Sequence, residues 1–294
     1  MKTIFFTLFL IVIPLLQGCL KKEEKHLQEK SYLSQIDWKY LESLDEDETS
    51  MELFYLGIDY FNDLKPKIDK REIPFLIGHI DEKFLSEFRN TIKTNKTVAI
   101  ASPGGFPEIA LKIADIIIEK NINIVIGGIC YSACADIILP AAKSLEFYEH
   151  PLIGFHGTVI SMKFFVSQGQ VSPCTALSEQ DEFLLLLEDL SYKMNSLYKS
   201  TGHNIDFWKE QTKRLGSPVL VNQEFVKNEC NPMQQFDYEL WFPTSIQLKS
   251  MLGLNFEGGV CADSASCFER KIPLLEGLRK KYIVGNNPYI AMLP

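Results

Sequence analysis

Gly127-Gly128-Ile129-Cys130-Tyr131-Ser132-Ala133-Cys134-Ala135 follows directly on the apolar run Ile122 to Ile126. The run reads as a buried strand, the two glycines halt it, and small residues then open a helical pattern. A serine at such a strand-to-helix turn holds its hydroxyl in the open. The backbone N–H groups of the first helical turn lack helical partners and can stabilise a developing oxyanion. Ser132 is therefore the candidate nucleophile.

Around this turn, strands and helices alternate. The pattern predicts strands at Ile73 to Ile80, Thr97 to Ser102 and Ile122 to Gly127, with helices at Glu82 to Thr94, Pro107 to Lys120 and Ser132 to Lys143. Short strands follow at Leu145 to Tyr148 and Leu152 to His156. Such alternation implies βαβ crossovers and a mostly parallel sheet flanked by helices, an α/β fold. Residues 158 to 178 mix Gly, Ser, Pro and Gln and read as an insertion. A long amphipathic helix is expected from about Glu179 to Ser200, another over Ile205 to Leu215, and a last structured unit over Leu240 to Leu254. From Glu257 the chain reads as a cysteine-bearing loop, a short basic helix around Leu274 to Lys281, and a tail.

The N-terminus is of a different kind. Met1-Lys2-Thr3 precedes an apolar run from Ile4 to Leu16, too short for a comfortable membrane span, which reads as a signal peptide. It ends in Leu16-Gln17-Gly18-Cys19, which resembles the bacterial lipobox, where cleavage before the cysteine and its diacylation leave a lipid-anchored chain. The expected organisation is a signal peptide over 1–18, a polar tether over 19–55 containing the acidic run Leu44-Asp45-Glu46-Asp47-Glu48, one domain over 56–255, and an extension over 256–294. The expected location is the bacterial cell envelope, facing the periplasm or exterior, with the membrane as partner through lipid on Cys19.

Cleavage there removes Lys2 alone among charged residues, leaving 29 basic side chains against 38 acidic ones. A net-acidic surface without a long basic run argues against nucleic acid as a partner. Six cysteines follow Cys19, an even number that permits disulfides in an oxidising compartment. Cys261 with Cys267 is the most plausible local pair. Cys130 and Cys134, if both enter a helix, lie near the edge of disulfide reach, so buried thiols and a strained bridge both stay open, as does a reactive thiol. No His lies at ligand spacing beside any cysteine, so no metal is expected, and no cofactor is implied.

Three features fall at successive strand ends: Ser102-Pro103-Gly104-Gly105, then Ser132, then His156. In open α/β sheets, ligands bind where the loops leave the C-terminal strand ends. The glycine pair lets the backbone turn N–H groups toward a bound carbonyl. Taken singly, Ser132 is equally a helix-start residue and His156 a core histidine. His79, also at a strand end, is a rival base.

The span from Phe75 to Gly157 resembles the Clp-protease proteolytic subunit and crotonase-like superfamily, closest to its periplasmic Clp-like relatives. The residues that carry the likeness are Leu76-Ile77-Gly78-His79-Ile80-Asp81, Ser102-Pro103-Gly104-Gly105, Tyr131-Ser132-Ala133-Cys134-Ala135 and Gly154-Phe155-His156-Gly157, with His156 lying 24 residues after Ser132. The resemblance implies Ser132 as nucleophile, His156 as general base, and the N–H groups of Gly104 and Ala133 as oxyanion hole. It places an orienting carboxylate in Phe236-Asp237-Tyr238-Glu239-Leu240-Trp241-Phe242-Pro243, with Glu239 preferred on register and Asp237 the alternative. It further implies a serine hydrolase, a peptidase with a peptide or protein substrate, and homo-oligomers of the kind its relatives form. A non-catalytic binding or scaffold protein that keeps the fold is the competing expectation.

Overall fold

The computed structural model describes residues 58–161, 163, 177–215, 240–267 and 281–290. All belong to one unit, Gly57–Pro294. The expected signal peptide, Cys19 and tether lie outside the described residues. No described helix is long and apolar enough to cross a membrane.

Helix α1 (Ile58–Asp69) leads into strand β1 (Phe75–Ile77), α2 (Glu82–Thr91), β2 (Thr97–Ser102), α3 (Pro107–Lys120) and β3 (Asn123–Tyr131). Beyond β3 a π-helical turn, Cys134–Ile138, runs on as a short α-turn, Leu139–Ala141; together they form the elbow helix. Strand β4 (Leu145–Gly154) follows, then α4 (Leu177–Thr201) and α5 (Phe207–Leu215). The main sheet has the order β1-β2-β3-β4-β6, where β6 is Glu257–Gly258, and every pairing in it is parallel. This is the α/β architecture the alternation predicts.

Local chemistry explains the element bounds. The Asp81 carboxylate accepts the Phe84 N–H at 2.8 Å and caps α2. Pro107 occupies the first turn of α3, where no N–H is needed, and Asn121 ends that helix in the left-handed region at φ 54°. Val98, Ile100, Ile124 and Ile126 are fully buried in the sheet. Burial of each such side chain is worth about 1.5–3 kcal/mol.

Strand β3 does not stop at its glycines. Gly128 takes φ 80° in a bulge, the register with β4 shifts between Gly127 and Ile129, and the strand continues to Tyr131. Gly127 lets α1 pack closely on the strand: a Cβ there would lie 2.9 Å from Leu64 Cδ2, which would have to shift. Opposite, the two short strands expected after residue 144 form one bulged strand, with Glu149 and His150 both left-handed at φ 52° and 54°. Arg71 makes a two-pronged ion pair with Glu146, at 2.6 and 2.8 Å, tying the end of α1 to β4.

A second, small sheet has the order β5-β7-β8: β5 is Leu240–Phe242, β7 Lys281–Val284 and β8 Asn287–Ile290. It joins the main sheet through one antiparallel bridge, in which Phe155 and Trp241 exchange both backbone bonds at 2.9 and 2.8 Å. Trp241, Phe155 and Phe207 stack as a fully buried cluster, with ring centroids 5.1–5.9 Å apart, and the Trp241 indole donates to the Gly285 carbonyl at 2.9 Å. Residues past 256, expected to form an extension, thus supply strands to both sheets. Lys281 opens a strand rather than closing a helix. Cys261 and Cys267 form the expected local disulfide.

Candidate active site

Ser132 is the first residue beyond β3 and adopts φ 52°, a left-handed conformation that a non-glycine residue takes only when its surroundings enforce it. Here they do. The Ser132 N–H donates to the Gly154 carbonyl at 3.1 Å, and the Ser132 carbonyl accepts the Asp136 N–H at 2.8 Å, starting the elbow helix. Ala133 is the buried N-cap residue of that helix.

The glycine loop lies directly over the serine. Gly104 has φ 106°, and a Cβ on it would sit 2.6 Å from Ser132 Cβ, 2.8 Å from the Tyr131 carbonyl oxygen and 3.1 Å from Ser132 Oγ. Only glycine fits there. The loop is anchored to the chain beyond β1, since Ile80 N–H donates to Gly104 O at 2.7 Å and Phe106 N–H to Ile80 O at 2.9 Å. The Gly104 N–H itself donates to Ser102 Oγ at 3.0 Å. Of the two expected oxyanion donors, Gly104 therefore reaches the serine with its N–H already engaged. The adjacent Gly105 N–H enters no hydrogen bond among the described residues.

The β3–β4 register pairs Tyr131 with Gly154, so His156 leaves the sheet two residues beyond the carbonyl that holds Ser132. Gly154 must be glycine as well, because a Cβ would strike the Tyr131 ring at 2.7 Å. His156 is exposed, and its Nδ1 lies 3.0 Å from the Gly157 carbonyl. With Nδ1–H donating there, Nε2 keeps its lone pair, which is the tautomer a general base needs. Glu239 and Asp237 fall outside the described residues, as do Cys174 and Cys230. The next residue in the chain, Leu240, opens β5, whose Trp241 bridges to Phe155. His79, the rival base, packs edge-on against Phe106, with ring centroids 5.6 Å apart.

Cys130 and Cys134 are joined by a disulfide, with Cα atoms 5.3 Å apart and both residues fully buried. Cys130 is still in the strand rather than in a helix, and the left-handed turn at Ser132 folds the chain back so that the two cysteines meet. In this state neither sulfur is a thiolate, so the flanking cysteines supply no nucleophile.

Sequence reading passed over Asp136. It is fully buried on the elbow helix, its Oδ1 accepts Gln211 Nε2 at 3.1 Å, and its carbonyl accepts the Tyr198 hydroxyl at 2.8 Å. Burial drives its carboxyl up to about 8, with the Gln211 bond opposing. The signal was present as a lone acid between Ala135 and Ile137. His203, expected only to finish a helix, lies between two carbonyls, Nε2 3.1 Å from Pro140 O and Nδ1 3.1 Å from Leu252 O, and in its neutral form donates to one of them. Burial holds its pKa below the usual imidazole value against those bonds.

No protein-family model matches the chain, and no curated protein matches it. Among solved structures, it is similar to the catalytic domain of the ClpP protease from Plasmodium falciparum, at 16% identity and a TM-score of 0.36, over 67% of this chain and 90% of that one.

Proposed function

We propose that the protein is a serine hydrolase, a peptidase that transfers an acyl group to Ser132 and then to water. The observation supporting this is the left-handed elbow at Ser132, pinned by Gly154 and overlain by Gly104 at the end of a parallel strand. In the proposed cycle Ser132 Oγ attacks the substrate carbonyl carbon while His156 Nε2 accepts the hydroxyl proton and passes it to the leaving amine. Water then attacks the ester carbonyl, giving a proton to His156, which passes it to Ser132 Oγ as the ester bond breaks and the acid leaves. Helix-start N–H groups at Ala133, together with Gly105 or a Gly104 released by Ser102, serve the oxyanion. Glu239, or Asp237 in its place, is the proposed carboxylate for His156 Nδ1, where it would displace the Gly157 carbonyl that this nitrogen faces here.

A fluorophosphonate probe that labels the purified protein at Ser132 supports the assignment, and the absence of labelling under conditions where a control serine hydrolase reacts overturns it. One observation favours the binding-protein reading: the Gly104 N–H is already bonded to Ser102. Under that reading the wild type remains unlabelled and hydrolyses no member of a peptide and ester panel.

We further propose envelope anchoring through lipid on Cys19, supported by Leu16-Gln17-Gly18-Cys19 beside a short apolar run. Cells fed radiolabelled palmitate should incorporate it into the wild type and not into Cys19→Ser. An unmodified, wholly soluble wild type removes the proposal. The net-acidic chain argues against nucleic acid as a partner, and a peptide or protein is the proposed substrate on the family resemblance. Cross-linking of the purified protein tests self-association.

A further inference from the structure

We infer that the Cys130–Cys134 disulfide is a positioning device for Ser132: it clamps the strand exit to the first turn of the elbow helix and so fixes the nucleophile in its left-handed conformation. The inference rests on the serine-hydrolase reading and adds to it a residue pair that acts through Ser132. The bridge closes the shortest circuit around the serine, from the penultimate residue of β3 to the first residue of the π-helical turn, with Tyr131, Ser132 and Ala133 inside it.

Three observations favour local positioning over general cross-linking. First, the stabilisation a disulfide draws from restricting the unfolded chain grows with loop length, so a separation of four residues is a poor choice for global stability. Second, the enclosed residue is the one in a backbone region that needs external enforcement, at φ 52°. Third, the elbow helix opens with a π-turn, in which the Leu139 N–H reaches back to Cys134 O. Such wide turns are rare and fall frequently at functional sites. The clamp holds both ends of that segment while Gly154 O and Gly104 hold its middle. Both sulfurs are fully buried, so the bridge is set during folding and is not an exposed redox switch. Its formation requires an oxidising compartment, which agrees with an exported chain.

The test uses the full mature chain with the two cysteines replaced as a pair, Cys130→Ala/Cys134→Ala, and a volume-keeping pair, Cys130→Val/Cys134→Ala. Labelling by a fluorophosphonate is resolved into probe affinity and limiting rate, well below either melting temperature. Positioning predicts that the limiting rate falls about 100-fold while probe affinity changes little, since a displacement near 1 Å at a reacting atom has that scale of effect. A purely structural bridge lowers the melting temperature and leaves the limiting rate near that of the wild type, which overturns the inference. Should neither pair fold, wild type is refolded with and without an oxidant, and labelling of the folded fraction is scored against occupancy of this bridge by mass spectrometry. A rate independent of occupancy then overturns it, and loss of rate in proportion to reduction supports it.

If the wild type is never labelled, the hydrolase reading fails by itself, and hydrogen exchange judges the clamp. Faster exchange of the Ser132 and Asp136 amides in the paired variants or the wild type refolded without an oxidant, at unchanged exchange in β2, supports it. Unchanged exchange at both amides ends it.

Discussion

Ser132 and His156 leave the same edge of one sheet from neighbouring strands, yet the molecule constrains them very differently. Ser132 is held by two backbone hydrogen bonds, by a glycine that tolerates no side chain above it, and by a disulfide spanning it. His156 stands exposed in the loop after β4, beside its own neighbour's carbonyl. The proposed nucleophile is half-buried at the exit of a core strand, whereas the proposed base stands on an exposed loop hung from the neighbouring one. In such a site the serine's geometry survives perturbations that move the histidine. Apo hydrogen bonds in catalytic sites are often loose and tighten on substrate, so an exposed base is compatible with catalysis.

The largest expected effect comes from removing either partner outright. Ser132→Ala and His156→Ala should each lower probe labelling or turnover by about 10⁴-fold or more, and the double variant should be little worse than either, because the two act as one unit. If His156→Ala retains near-wild-type labelling, the loop side contributes nothing. The base must then be sought elsewhere, with His79 first. Both variants should keep the wild-type melting temperature, which calorimetry checks.

A second perturbation separates the two sides through the packing beneath them. Trp241 is fully buried against Phe155 and Phe207, and its backbone pairs with Phe155, the residue before His156. Trp241→Ala should cost about 3–5 kcal/mol of stability by denaturant unfolding. In protein that is still folded, it should accelerate amide exchange at Phe155 more than at Ser132. Equal acceleration at both would show that the elbow depends on β5 as much as the histidine loop does.

How much of this was legible follows the same division. β2 and α3 are read from sequence with the bounds they have, because an uninterrupted apolar run and a Pro-opened helix leave little ambiguity. The serine at the strand-to-helix turn, the glycine loop and the order of strand ends were equally open to reading. The path of β3 through Gly128 was not, since a bulge turns a strand breaker into a strand residue. Nor was the single bulged β4, whose two left-handed residues, Glu149 and His150, carry no glycine to announce them. In the second sheet β5 pairs with β7, about forty residues on, and local periodicity holds no record of so distant a partner. The Cys130–Cys134 bridge was obscured by assuming a helix one turn too early.

The smallest expected effect concerns Asp136, which sits one helical turn beyond the serine and tests whether the elbow's rigidity carries a cost. Its carboxyl, raised to about 8 from 3.8 by burial, stays protonated in the folded protein where the unfolded chain has already ionised. The folded state therefore binds more protons than the unfolded state between those values. Stability attributable to this group is full below about pH 4 and declines as pH rises toward about 8, by at most about 1.4 kcal/mol per unit. Gln211 donates to Oδ1, while its own Oε1 is buried without a partner among the described residues. Asn at position 136 could accept the Nε2 bond and offer an N–H to that oxygen, without a proton to lose. Asp136→Asn should thus raise stability at pH 7 and leave it nearly unchanged at pH 4, the difference being no more than the roughly 4 kcal/mol that this slope sums to over three units. Denaturant unfolding at the two values checks this. A variant less stable than wild type at pH 7 would mean that the ionised carboxylate is the native form and is held by a stronger partner than Gln211.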